Sequence, residues 1–253
     1  LGVTCLYLNP IFEAHSNHRY NTANYLRVDP LLGTEQDFIT LCQMAHEHGI
    51  KIILDGVFNH TGSDSLYFNK EGRYGPGGAY RDPRSPYRSW YCWKDAAANM
   101  YESWWGFQSL PKLNSRDESW REFLCGENGI VRHWLRLGAD GWRLDVVDEY
   151  PDELVRMIRQ AARAEKPDAL IIGEVWEDAS CKEAYGEHRQ YLMGHELDSV
   201  MNYPLRQTIL DFLLRGDGAA FRLRLWELLE HYPRPCWDVM MTVSYTHLTL
   251  PTT

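Results

Sequence analysis

A chain of 253 residues with 44% apolar content is long enough to bury a substantial core, as one large domain or two small ones. Its 35 acidic residues outnumber 26 basic ones, giving a net charge of −9 with no basic run, so neither nucleic acid nor an anionic membrane is an expected partner. Ten Trp and 15 Tyr exceed what packing ordinarily needs and suit stacking on the faces of sugars.

Residues 2–9 form a short apolar run stopped by Asn9-Pro10, which predicts a buried strand. A polar loop continues to Tyr25. Thr34 then caps a helix, with Asp37 at the capping-box position and Phe38, Leu41, Cys42 and Ala45 on one face. Gly49 ends it, and Lys51–Phe58 is the second buried strand. Residues 61–115 lose all periodicity and are rich in Gly, Pro, Tyr and Trp; so long a loop predicts an excursion standing over a site. Regularity returns with a helix from about Asp117 to Leu137, a strand carrying Arg143 and Asp145, and a helix over Asp152–Glu165. Ala169–Val175 and Leu197–Tyr203 follow as strands, then helices near Leu205–Leu214 and Ala219–His231, then a strand near Trp237–Val243.

Apolar strands alternating with helices predict a parallel sheet covered by helices. Asp145 and Glu174 lie 29 positions apart, close to one-eighth of the roughly 250 residues of a (β/α)8 TIM barrel. Without the excursion, the interval from Asp55 to Asp145 shrinks to nearly the same unit. Asn9, Asp55, Asp145, Glu174 and Asn202 all fall near the carboxyl ends of their strands, where barrel enzymes place their chemistry. A doubly wound open sheet is the alternative fold.

The chemistry is concentrated in G-A-D-G-W-R-L-D-V-V-D-E, residues 138–149. In an extended strand Arg143 and Asp145 share a face, and a neighbouring guanidinium is expected to hold the carboxylate ionised, as a nucleophile requires. A purely structural Arg–Asp bridge would show the same pattern. Glu174 ends an apolar strand, where desolvation is expected to keep it protonated as a general acid. Two carboxyls with opposed roles on adjacent strands are the division of labour of glycoside hydrolysis, and a separation of about 5–5.5 Å would make it retaining. His46-Glu47-His48 lacks the i, i+4 spacing of a helical zinc site, so no metal ligands are assigned. The six cysteines form no C-x-x-C pair and read as reduced core residues, which places the expected compartment in the cytoplasm.

D-G-V-F-N-H (55–60), G-W-R-L-D-V-V-D-E (141–149) and I-G-E-V-W (172–176) resemble, in order, three of the four conserved regions of the α-amylase family. L-P-K-L-N (110–114), G-V-T-C-L-Y-L-N-P (2–10), R-Y-N-T-A-N-Y (19–25) and Y-E-S-W-W-G-F (101–107) resemble its neopullulanase, cyclomaltodextrinase, maltogenic amylase and amylopullulanase members. The resemblance implies a retaining hydrolase of α-1,4 glucosidic bonds, with α-1,6 left open, acting on maltooligosaccharides, pullulan, cyclodextrins or starch. It implies Asp145 as nucleophile, Glu174 as acid/base, and Arg143 as the residue that orients the nucleophile. His60 would bond the sugar in the cleaved subsite, Tyr20 would stack on that sugar, and Trp176 would line the subsites beyond the scissile bond. Asp55 and Asn59 match architectural positions. Calcium and a homodimer of the intact protein are compatible with the resemblance and unreadable from the residues. The alternative is a non-catalytic glucan-binding or transporter-associated subunit on the same barrel.

The resemblance assigns residues 1–60 and 116–243 to the barrel, about strands 2–7, and residues 61–115 to a domain B-like excursion after its third strand. It departs at the end. A fourth region with a His-Asp pair is expected near the seventh strand, and in register His247 meets the His while Leu248 stands where the Asp belongs. Residues 244–253 therefore read as a foreign or aberrant tail, and this chain by itself is expected to be inactive while its intact parent is active.

Overall fold

A computed structural model of the chain describes residues 2–242. Strand β1 (Cys5–Leu8) is followed by β2 (Phe12–Ala14) and β3 (Thr22–Val28), then by helix α1 (Glu35–Glu47) and β4 (Lys51–Gly56). After short strands β5 (Trp93–Asp95) and β6 (Met100–Tyr101) come α2 (Glu118–Cys125), α3 (Ile130–Arg136) and β7 (Gly141–Leu144). Then α4 (Asp152–Glu165), β8 (Leu170–Gly173), β9 (Glu183–Ala184), β10 (Glu187–His188) and β11 (Ser199–Val200) lead to α5 (Tyr203–Arg215), α6 (Gly218–His231) and α7 (Arg234–Asp238).

Five strands form one parallel sheet in the order β1-β4-β7-β8-β11, an arc of a (β/α)8 barrel. Strand order follows chain order, as right-handed crossovers through covering helices require. Register then places function. Leu8 pairs with Leu54, Gly56 with Leu144, and Leu144 with Gly173, so the residues that follow each strand emerge along one rim. Alternation sorts the side chains: Ile52, Leu54, Trp142, Leu144 and Ile171 pack in the main core. On the opposite face Ile172 and Met201 form a small separate cluster with Leu170, Tyr203 and Met241. No helix among the described residues is long and apolar enough to cross a membrane.

Helix α1 forms where its caps direct it: Thr34 accepts from the Asp37 amide at 3.2 Å, and the Asp37 carboxylate accepts from the Thr34 amide at 2.8 Å. Phe38, Cys42 and Ala45 are buried as expected, whereas Leu41 is 40% exposed. Four other expectations are corrected. The single helix over Asp117–Leu137 is two, because the chain turns through Gly126 and Gly129, where a side chain would meet backbone. The polar loop before Tyr25 contains the antiparallel pair β2–β3, whose buried Phe12, Ala23, Tyr25 and Val28 brace the barrel. The strand near Trp237–Val243 gives way at its start to α7, which ends at Asp238; Met241 then makes one parallel bridge to Met201, and Val243 lies outside the described residues. Apolar content at that position suited either state, and Pro233 at the N-cap settles it as a helix start. Finally, Cys42, Cys125 and Cys236 are buried but Cys5 and Cys181 are exposed, so the cysteines are not uniformly core residues. The proposed tail at 244–253, with His247 and Leu248, lies outside the described residues.

Residues 61–115 leave the rim after β4 and return to it through an isolated bridge from His60 to Lys112, while a bridge from Tyr91 to Leu113 ties the excursion to itself. Their interior is aromatic. Phe68 lies 4.6 Å from Tyr91 and 4.8 Å from Tyr101, centroid to centroid, both edge to face.

Candidate active site

Arg143, fully buried, is the centre of the rim. Its Nη1 donates to Asp55 Oδ1 and to Asp145 Oδ1, both at 2.7 Å. Its Nη2 lies 2.9 Å from Glu174 Oε1, an ion pair whose angle does not make a hydrogen bond. Strands β4, β7 and β8 deliver these carboxyls from three neighbouring positions, because Asp55 pairs with Arg143 in register and Asp145 and Glu174 each follow a strand end. Asp145 and Glu174 therefore share one face and one guanidinium.

Each carboxyl has its own donors. Asp55 Oδ2 accepts from the Tyr7 hydroxyl at 2.5 Å and the Tyr20 hydroxyl at 2.8 Å. Glu174 Oε2 accepts from the Val146 amide at 2.9 Å, and Oε1 accepts from Trp176 Nε1 at 3.1 Å and from the Tyr203 hydroxyl at 3.2 Å. Val146 takes a left-handed conformation with φ 41°, uncommon for a β-branched residue, and this kink after β7 aims its N–H at Glu174.

The electrostatics correct one expectation. Arg143 does not hold the Asp145 carboxyl below the usual range. Burial pushes it well above, the guanidinium opposes this, and the nearby Asp55 and Glu174 push it further up. Burial draws the guanidinium itself down, but three surrounding carboxyls outweigh that and leave it firmly charged. One cation faces three carboxyls and cannot neutralise them all, and the excess negative charge favours a proton held on the Asp145 side of the cluster.

Tyr20, His60, Asp145, Glu174 and Trp176 line one cavity of about 580 Å³, within the usual size of small-molecule sites. Tyr20 presents its ring there while its hydroxyl is tied to Asp55. His60 is buried. Its Nε2 donates to the Tyr20 carbonyl at 3.2 Å and its Nδ1 accepts from Asn59 Nδ2 at 3.2 Å, which assigns a neutral tautomer. Burial lowers its pKa to about 4, in agreement. A sugar hydroxyl at Nε2 would have to displace that carbonyl. Trp176 is 44% exposed and meets Trp105 edge to face at 5.5 Å.

Sequence reasoning missed several walls of this site. Trp104 stacks on His60 at 5.6 Å, and Phe107 and Leu110 complete the side contributed by the excursion. Y-E-S-W-W-G-F drew attention as a motif, but nothing in it says which ring faces the cavity. Tyr203 follows Asn202 at a strand end, a position that could have marked it. Tyr7, a hydroxyl within an apolar strand, carried a fainter signal of the same kind.

Residues 1–233 match the family model described as alpha amylase, catalytic domain. The chain is 41% identical over 281 aligned residues to an amylopullulanase of Thermoanaerobacterium saccharolyticum, covering 99% of this chain and 21% of that protein. It is 38% identical over 228 residues to neopullulanase 2 of Thermoactinomyces vulgaris, covering 88% of this chain and 36% of that protein. Among solved structures, the cyclic alpha-maltosyl-(1→6)-maltose hydrolase from Arthrobacter globiformis, in its ligand-free form, aligns with a TM-score of 0.83 at 30% identity, covering 96% of this chain and 53% of that one. The chain thus spans about a fifth to about half the length of these relatives.

Proposed function

We propose, for a chain that belongs to the alpha-amylase family, that the protein is a retaining α-glucan hydrolase with Asp145 as nucleophile and Glu174 as acid/base. The observation that carries this is the shared guanidinium: Asp145 and Glu174 contact two nitrogens of Arg143 from adjacent strand ends. Such a pair favours the separation of about 5–5.5 Å found in retaining enzymes over the about 6.5–9.5 Å of inverting ones. Asp145 and Glu174 line the cavity and Asp55 does not, so the proton that works on the substrate belongs to the Asp145–Glu174 pair. With that proton on Glu174, Asp145 is the ionised partner beside Arg143. Its oxygen attacks the anomeric carbon while Glu174 protonates the leaving glycosidic oxygen, forming a glycosyl–enzyme ester. Glu174, now ionised, then takes a proton from water, which displaces Asp145 and regenerates both groups. Tyr20, Trp104 and Trp176 supply flat faces for the sugar rings, and neutral His60 forms part of the wall.

The substrates are α-glucans, with α-1,4 linkages as the first class and α-1,6 linkages as the second, which accords with the similarity to an amylopullulanase, a neopullulanase and a cyclic alpha-maltosyl-(1→6)-maltose hydrolase. A non-catalytic glucan-binding subunit would have no use for three carboxyls crowded on one buried guanidinium. The test is the first-formed product of the full-length protein on maltooligosaccharide, pullulan and cyclodextrin, followed by proton NMR. The α-anomer is expected; first-formed β-anomer would overturn the retaining assignment, and no product from any of the three would overturn the hydrolase.

A further inference from the structure

Trp176 stands where three cavities meet. The first is the cleft of about 580 Å³ over Asp145 and Glu174. The second, about 390 Å³, leaves Glu174 between Trp105 and Tyr185. The third, about 660 Å³, follows the groove between α5 and α6 and is lined by Tyr203, Gln207, Phe221 and Arg224. Trp176 borders all three. The Tyr203 hydroxyl also touches Glu174 at 3.2 Å, so the third cavity begins one side chain from the proposed acid.

A linear glucan leaves the cleaved bond in two directions and fills two cavities. A glucosyl unit at a branch point is linked through O1, O4 and O6, and three chains leave it. We propose that the α5–α6 groove is a third glucan-binding arm, which together with the other two seats a branched α-glucan with its branch point at Trp176. This rests on the hydrolase reading above. The groove's chemistry fits an oligosaccharide: Trp176, Tyr203 and Phe221 offer ring faces, while Gln207 and Arg224 offer planar, forked polar groups for adjacent hydroxyls. Its length fits a chain rather than one ring, since both ends of α5, Tyr203 and Arg215, line it, roughly 18 Å apart at the α-helical rise. Gln207 and Arg224 are exposed, so truncating them leaves the core intact.

The test is calorimetric binding to the full-length protein carrying Asp145→Asn, so that nothing is cleaved. The two ligands are maltohexaose and maltohexaose bearing one α-1,6-linked maltotriosyl branch. The branched ligand is expected to bind about tenfold more tightly, and Gln207→Ala with Arg224→Ala to erase that advantage while leaving maltohexaose within about twofold. The proposal is overturned if the branched ligand has no advantage, if the advantage survives both substitutions, or if the two ligands weaken together. If the Asp145→Asn protein binds neither ligand, the hydrolase reading itself falls, and this arm with it.

Discussion

At Arg143 one guanidinium meets three carboxyls, and that excess of negative charge bears on the protonation of Asp145. The adjacency of Arg143 and Asp145 was legible from their spacing. The direction of the Asp145 shift was not, because it depends first on burial in the folded barrel and then on Asp55 and Glu174, which arrive from other strands. Asp145→Asn is expected to lower kcat by at least about 10³-fold, as loss of a covalent nucleophile does. It should also match or exceed the parent's thermal midpoint at pH 7, since an ionised carboxyl whose pKa is raised by folding opposes stability there. Undiminished turnover would remove Asp145 from its role. His60 gives the pH dependence. Its folded pKa of about 4 lies below the ordinary value of 6.5, so between those values the unfolded chain binds more protons. Its contribution is therefore complete above about pH 6.5 and lost as pH falls toward 4, by roughly 3 kcal/mol in all. Urea unfolding at pH 7 and 4.5 should show a smaller drop for His60→Gln than for the parent, and an equal drop would refute the assignment.

Among the elements, the pairing of β7 with β8 fixes where the two proposed catalytic carboxyls stand. Gly141 makes that pairing possible, since a Cβ there would lie 2.1 Å from the Leu170 carbonyl oxygen. Gly141→Ala is expected to cost at least about 1–3 kcal/mol by overpacking. Gly77→Ala, whose Cβ meets nothing within 4 Å, serves as a near-neutral control. Equal urea midpoints for the two variants would show that the strands accommodate the methyl. Helix α1 was legible from its capping box and apolar spacing and α4 from its apolar spacing, because those signals are local. The break between α2 and α3 and the helical state of Arg234–Asp238 were not. Hydrophobic content there fitted either outcome, and the decision came from the turn through Gly126 and Gly129 and from Pro233 at the N-cap.

At the scale of the molecule, the cleft exists only because residues 61–115 return to the rim and place Trp104 against His60. Trp104→Ala is expected to raise KM for a maltooligosaccharide about tenfold while changing kcat less, because its ring offers contact area and no reacting group. A loss confined to kcat would instead place Trp104 in the chemistry. From the residues alone came the alternation of apolar strands with helices, the rim positions of Asp145 and Glu174, and the motifs that link them. Those features are local, set by periodicity and strand-end position over a few residues. Tertiary structure alone decided that Tyr7 and Tyr20 share Asp55, that Tyr203 and Val146 hold Glu174, and that three cavities converge on Trp176. Each of those contacts joins segments far apart in the chain, and distance along a sequence carries no record of distance in space until the sheet has set its register.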